Sequence, residues 1–485
     1  VKPKMCRPAR QGQGGSGLVA FCHAKANPVM NEMPIEIPAG PAPLASHGAT
    51  PLAGRFVTPG DRVIALHALT LAALTIGHTT IAGLPESADL LATIAALRQL
   101  GVRIELRDGL WHVQGLGVGG LLAPQGRLDL KESSDGLHLL LGLVAPHAFF
   151  ARFTAGPDLT RLSLRDLLDA LGPVGITIEE SVDSGLPLTL RGSISPLPIQ
   201  HKLATSSEPI KSALLLAALQ IAGTSTIVEP VPMRGHAEKL MAEFGAAISV
   251  TTDEAGAASI SIAGLTDLRP RAIVVPGDPS SAGYAVVAAL IVPGSELVVE
   301  NVLANPMRTG LVDTLLEMGG DIQFINQREI AGEHVADLRV RSSRLKGMPI
   351  IAEHAALMLD DIAILAVAAA YAQGETTIEG LSSLRQRPAD RLAAIAAGLA
   401  ANKVTVTEGE DSLTIGGNGK VDGGGKVSSR DDPAIAMSFL VLGMASRHRV
   451  TLDDSSAIAR DFPGFEAAMS AAGARFEIPK KGRKS

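Results

Sequence analysis

One structural unit is written into this chain six times, and that repetition limits the folds open to it. A short strand, an amphipathic helix and a returning strand recur at intervals of about 70–80 residues, beginning near Thr79, Ala151, Thr224, Ser295, Glu375 and His448. TTIAGLPESADLLATIAALRQLGVRIEL and SELVVENVLANPMRTGLVDTLLEMGGDIQFI are two copies. In the first, Leu90, Ile94 and Leu97 share one helix face. A second helix, apolar almost all round, precedes each unit: Val63–Ile76, Gly136–Val144, Ile210–Ile221, Ala282–Val292, Ile362–Ala372 and Ile435–Ala445. A helix with no polar face must be enclosed by other elements. Six units therefore predict an α/β protein of two domains, three units each, with helices inside and sheets outside. Several of these helices follow small polar or acidic loops (KESSD, ATSSEP, PGDPSS, LDD, SSRDDP) whose Ser and Asp residues suit N-caps. If the inner helices of a domain run parallel, their N-termini share a face. Each carries about half a positive charge, so a cleft between two such faces would suit a polyanion. The repeats fit an efficient packing unit equally well.

Composition narrows the function. Lys plus Arg number 43 against 49 Asp plus Glu, a formal charge of −6, so nucleic acid and anionic membranes are not the expected partners. The longest uninterrupted apolar run, Ile362 to Ala372, falls short of the ~18 residues needed to span a bilayer. Cys6 and Cys22 are the two cysteines, which removes disulfides, thiolate-bound zinc and a cysteine nucleophile from the body of the chain and fits a reducing, cytoplasmic setting. The first 31 residues hold five Lys or Arg and no acid, and Met30 and Met33 precede the first ordered-looking segment. Residues 1–50 read as a disordered or mis-started leader without a part in the chemistry, and 479–485 as a basic tail.

Longer strings carry a resemblance. VPGDPSS (275–281), NVLANPMRTGL (301–311), VADLRVRSSRLKG (335–347), ILAVAAA (364–370) and IAMSFLV (435–441) are similar to EPSP synthases (3-phosphoshikimate 1-carboxyvinyltransferases), particularly the glyphosate-tolerant bacterial class. The resemblance runs over about residues 52–478. It implies a two-domain inside-out α/β barrel of six βαβαββ units, three per domain. Residues 62–271 would form a first domain on the shikimate 3-phosphate side, and 51–61 plus 272–478 a second on the phosphoenolpyruvate side. The implied reaction moves the enolpyruvyl group of phosphoenolpyruvate to the 5-hydroxyl of shikimate 3-phosphate and releases phosphate. It needs no metal or organic cofactor, and the protein would act as a monomer on small molecules. By the same resemblance Asp360 accepts the attacking proton and Arg387 is its catalytic companion. Arg62, Ser206, Ser207, Arg234 and Arg391 join these two in binding substrate. Asp360 also suits a helix cap, Ser206 and Ser207 suit ordinary capping, and Arg391 suits a solvated helix face. The resemblance also implies low glyphosate sensitivity, since the Ser134 side chain would intrude where a more sensitive site has glycine.

The chain departs from the family pattern at named positions. Lys-Ser becomes Arg62-Val63, His-Arg becomes Leu66-His67, and Asn-Ala-Ala-Thr-Gly becomes Glu132 to Gly136. An arginine is replaced by Leu162, a glutamine by Pro209, Lys-Glu by Arg387-Pro388, and another arginine by Ala434. At roughly 1.5–3 kcal/mol per charged hydrogen bond, three or four lost cations amount to about 5–10 kcal/mol. Arg161, Arg165, Arg385 and Lys211 are the candidates to replace them. The alternative is a diverged paralogue that acts on, or only binds, a different and less anionic ligand. The enolpyruvyl transferase that uses UDP-N-acetylglucosamine shares the architecture, but its usual acid is a loop cysteine, absent from this body.

Overall fold

The computed structural model describes residues 42–157, 159–386 and 390–479. Its six inner helices are Arg62–Ala73, Ser134–Val144, Glu208–Ala218, Pro279–Ile291, Ile362–Ala370 and Pro433–Ala445. Every residue of Ile362–Ala370 is buried, as a helix without a polar face requires. Two of them start on Asp-Pro. The Asp278 and Asp432 carboxylates cap the first free N–H groups, and Pro279 and Pro433 sit in the first turn, where no amide hydrogen is needed.

Among the described residues the strands form six four-stranded sheets of one topology. An edge strand runs parallel to its neighbour and the other two pairings are antiparallel, as in Ala272–Val274, Ile76–Ala82, Leu110–Leu116 and Arg103–Arg107. Strands such as Ala258–Ala263 alternate buried and half-buried residues, so one face packs inward. Two separate apolar cores result. One gathers the first three inner helices and the other the last three.

Two expected boundaries move. Leu44–His47, inside the expected leader, is a strand paired with Val450–Leu452 and Arg475–Glu477. The folded region thus begins before residue 50. At the other join, Ala272–Val274 pairs with Ile76–Ala82, carrying the first lobe past residue 271.

The chain crosses between lobes at 58–61 and again at 275–278, and the crossings lie side by side. Asp61 N–H donates to Pro276 O (2.7 Å) and Asp278 N–H to Pro59 O (2.9 Å). A Cβ at Gly60 would sit 2.1 Å from Gly83 O, and one at Gly277 would sit 2.1 Å from Thr58 Oγ1. The Pro-Gly-Asp written at both places is therefore a steric requirement as well as a cap.

Candidate active site

The crossings open into a cavity of about 620 Å³. Four inner helices present first-turn or capping residues to it: Asp61 to Val63, Asp278 with Ser280 and Ser281, Asp360, and Asp432 to Ala434. A fifth, Ser134–Val144, approaches through Glu132. The helix N-termini thus converge as the repeat pattern predicted, and their partial charges favour an anion.

The charged side chains are more balanced. Among the described residues the lining has five arginines (62, 308, 391, 430 and 460) and eight carboxylates. Most of these arginines pair with acids. Arg62 reaches Asp89 (3.0 Å) and Asp135 (3.6 Å), Arg460 reaches Asp431 (2.8 Å), and Arg391 donates through Nε to Asp432 (2.6 Å). Arg308 spans the two crossings, 2.6 Å from Asp278 and 3.6 Å from Asp61. Burial opposes the Asp61 anion, but Arg308, His236 and the Ile64 N–H together hold its pKa below the usual value.

Asp360 lies in the lining with its carboxylate 3.6 Å from Arg391 Nη1, and its side chain is 59% exposed. An exposed carboxylate held beside a buried arginine can meet a ligand hydroxyl. Its neighbour Asp361 is buried, and burial raises its pKa to about 7 despite the Ser280 hydrogen bond and Arg308. Tyr284, 6% exposed, faces the same cavity.

The other expected residues are placed differently. Arg62 lines the cavity and Arg234 does not, although Arg234 feels Arg308, Asp61 and Asp360. Burial and then Arg308 lower the Arg234 pKa, and its carbonyl accepts from Asn305 Nδ2 (3.0 Å). The Ser206 hydroxyl donates to Val231 O (2.7 Å) and accepts from Val231 N–H (3.1 Å), which ties down the loop. Ser207 occupies the N-cap of Glu208–Ala218 without a side-chain capping bond, and neither serine is in the lining. Arg387 and Pro388 lie outside the described residues.

Two of the replacement cations are engaged by carboxylates and are not in the described lining. Lys211 has no exposed surface and contacts Glu238 (2.8 Å), Glu208 (3.3 Å) and Glu229 (3.3 Å) as ion pairs. Arg385 holds Glu408 (2.8 Å) and Asp390 (3.3 Å). Arg161 and Arg165 are exposed, and Arg161 ends the turn that brings Leu159 to the cavity. The functional reading of the sequence had passed over Arg308, Arg430, Arg460 and Tyr284. The repeated Pro-Gly-Asp was the available signal for this corner, since it marks equivalent helix starts in the two halves.

Among the described residues no helix is long and apolar enough to cross a membrane, and no three His, Cys, Asp or Glu are grouped to hold a metal.

Residues 46–469 match the family described as EPSP synthase (3-phosphoshikimate 1-carboxyvinyltransferase). The chain is 47% identical over 435 residues to the 3-phosphoshikimate 1-carboxyvinyltransferase of Paramagnetospirillum magneticum, covering 89% of this chain and 98% of that one. It is 46% identical to the enzyme of the same name from a Chelativorans species, covering 90% and 98%. The solved EPSP synthase from Acinetobacter baumannii superimposes with a TM-score of 0.84 at 32% identity, over 90% of this chain and all of that one.

Proposed function

The chain belongs to the EPSP synthase family, and from that premise we propose that it transfers the enolpyruvyl group of phosphoenolpyruvate to the 5-hydroxyl of shikimate 3-phosphate. One observation carries the reading: Asp360 and Arg391 stand 3.6 Å apart in the wall where the inner-helix N-termini converge. Asp360 takes the proton of the attacking hydroxyl as that oxygen bonds to C2 and C3 is protonated. The tetrahedral intermediate then expels phosphate as C3 gives up a proton, which restores the enolpyruvyl double bond. Arg391 is held by Asp432 with Nη1 turned to Asp360, and binds phosphoenolpyruvate. Arg62, at the start of the first lobe, and Arg308, which bridges the two crossings, face the anionic groups, helped by the helix ends. Arg387 is assigned with Asp360 by resemblance, as are substrate contacts from Ser206, Ser207 and Arg234. We place the protein in the cytoplasm as a monomer. The first lobe takes shikimate 3-phosphate and the second phosphoenolpyruvate.

Phosphate release from purified protein given both substrates, and each alone, tests the proposal. Release that needs both is expected; none from folded protein at high substrate overturns it. Low sensitivity to glyphosate is part of the same reading, resting on the resemblance and on Ser134, the first residue of its inner helix. Inhibition at low micromolar glyphosate would refute that part.

A second reading follows from the eight carboxylates set against five arginines among the described lining residues. Such a lining favours a less anionic ligand. Folded protein that neither binds nor turns over shikimate 3-phosphate would select it.

A further inference from the structure

Tyr284 is an unusual member of the cavity wall. It lies one turn into the Pro279–Ile291 helix, beyond Ser280 and Ser281, and these three residues all line the cavity. The ring is fixed edge-on against Phe465, with centroids 5.9 Å apart at 84°. Phe465 in turn packs on Phe462, and Phe462 on Phe56. With the ring 6% exposed and walled by aromatics, the phenol has little freedom to swing away. Among the described residues its hydroxyl makes no hydrogen bond to the protein. The ring is buried but its oxygen is not among the buried unpartnered side-chain atoms, so the hydroxyl is open to the cavity it lines and free to meet a ligand atom.

The surroundings say what kind of partner fits. Asp361, Asp432 and Asp461 lie near enough to disfavour a phenolate, and Arg391 is the nearby cation. Burial acts in the same direction as the carboxylates, so the hydroxyl stays a neutral donor across the working pH range. A donor facing open cavity beside the Arg391–Asp432 pair is matched by an acceptor oxygen on a small anion. A cationic side chain here would be neutralised by the three carboxylates, whereas a phenol keeps its donor.

We propose that Tyr284 is a substrate-contacting residue whose hydroxyl donates a hydrogen bond to an anionic oxygen of phosphoenolpyruvate, next to Arg391. The assignment of that substrate rests on the function proposed above. The hydroxyl itself is placed by the cavity and the fixed ring.

The test is Tyr284→Phe in the full chain, which keeps the ring packing and removes only the donor. Binding of phosphoenolpyruvate and of shikimate 3-phosphate is measured separately by calorimetry, alongside KM for each and the melting temperature. The expected result is a loss of about 10–100-fold in phosphoenolpyruvate affinity, the range for a hydrogen bond to a charged group. Shikimate 3-phosphate affinity should stay within about twofold and the melting temperature should not fall. Unchanged phosphoenolpyruvate affinity overturns the proposal, as would an equal loss for both substrates. If the wild-type protein binds phosphoenolpyruvate but releases no phosphate, the proposed activity fails while the Tyr284 contact is still decided by the binding difference. If it binds no phosphoenolpyruvate, both fail.

Discussion

Replacing Asp361 by Asn should make the protein more stable as the pH rises, by an amount that the burial of this carboxyl sets. Asp361 is 7% exposed at the start of the Ile362–Ala370 helix, and its neighbours include Asp278 and Asp360 as well as Arg308 and the Ser280 hydroxyl. Burial raises its pKa from 3.8 to about 7. Between those values the native state holds a proton that the unfolded chain has lost, so stability falls with rising pH, by ~1.4 kcal/mol per unit. Over ~3 units that amounts to about 4 kcal/mol, complete above pH ~7. The helix N-terminus works the other way, favouring the anion by about 0.3–1 kcal/mol, too little to reverse the sign. Asn at 361 cannot titrate and can still accept from Ser280. Reversible urea unfolding of both proteins from pH 5 to 8 checks this. The advantage of Asp361→Asn should grow by about 2–3 kcal/mol between pH 5 and 7 and then level off. A difference that stays constant over that range would refute the reasoning.

Two further outcomes are expected. Lys211→Met removes the cation among Glu208, Glu229 and Glu238, and stranding three buried carboxylates should cost about 3–5 kcal/mol in a denaturation curve. A loss below about 1 kcal/mol would show that the cluster is not held by charge. Asp360→Ala should abolish phosphate release while leaving circular dichroism and melting unchanged, since its side chain is 59% exposed. A near-normal rate would remove Asp360 from the chemistry.

What the sequence could and could not reveal follows from the range of each interaction. The inner helices were legible because an all-apolar stretch such as Ile362–Ala370 has one physical solution, enclosure. Asp278 and Asp432 were legible as caps because a cap is decided within four residues. The Leu44–His47 strand was not, because its partners lie about 400 residues away and four residues carry little pattern. Lys211 resembled a spare cation. Two of its three acids, Glu229 and Glu238, come from separate elements, so its neutralisation appears only in the packed lobe. Ser206 likewise met its partner in Val231, across a loop. The cavity reflects both kinds of information. Its helix starts were written as repeated Pro-Gly-Asp, while the pairing of Arg62 with Asp89 and Asp135, and of Arg391 with Asp432, required the fold.

That pairing bears on the central claim, because arginines already engaged by carboxylates must still receive two anionic substrates. Mass spectrometry of the reaction with carbon-13-labelled phosphoenolpyruvate and unlabelled shikimate 3-phosphate tests this most directly. The account predicts a product in which shikimate 3-phosphate carries the labelled enolpyruvyl group, formed by the wild-type protein and not by Asp360→Ala. Unchanged shikimate 3-phosphate after prolonged incubation with folded wild-type protein would contradict it.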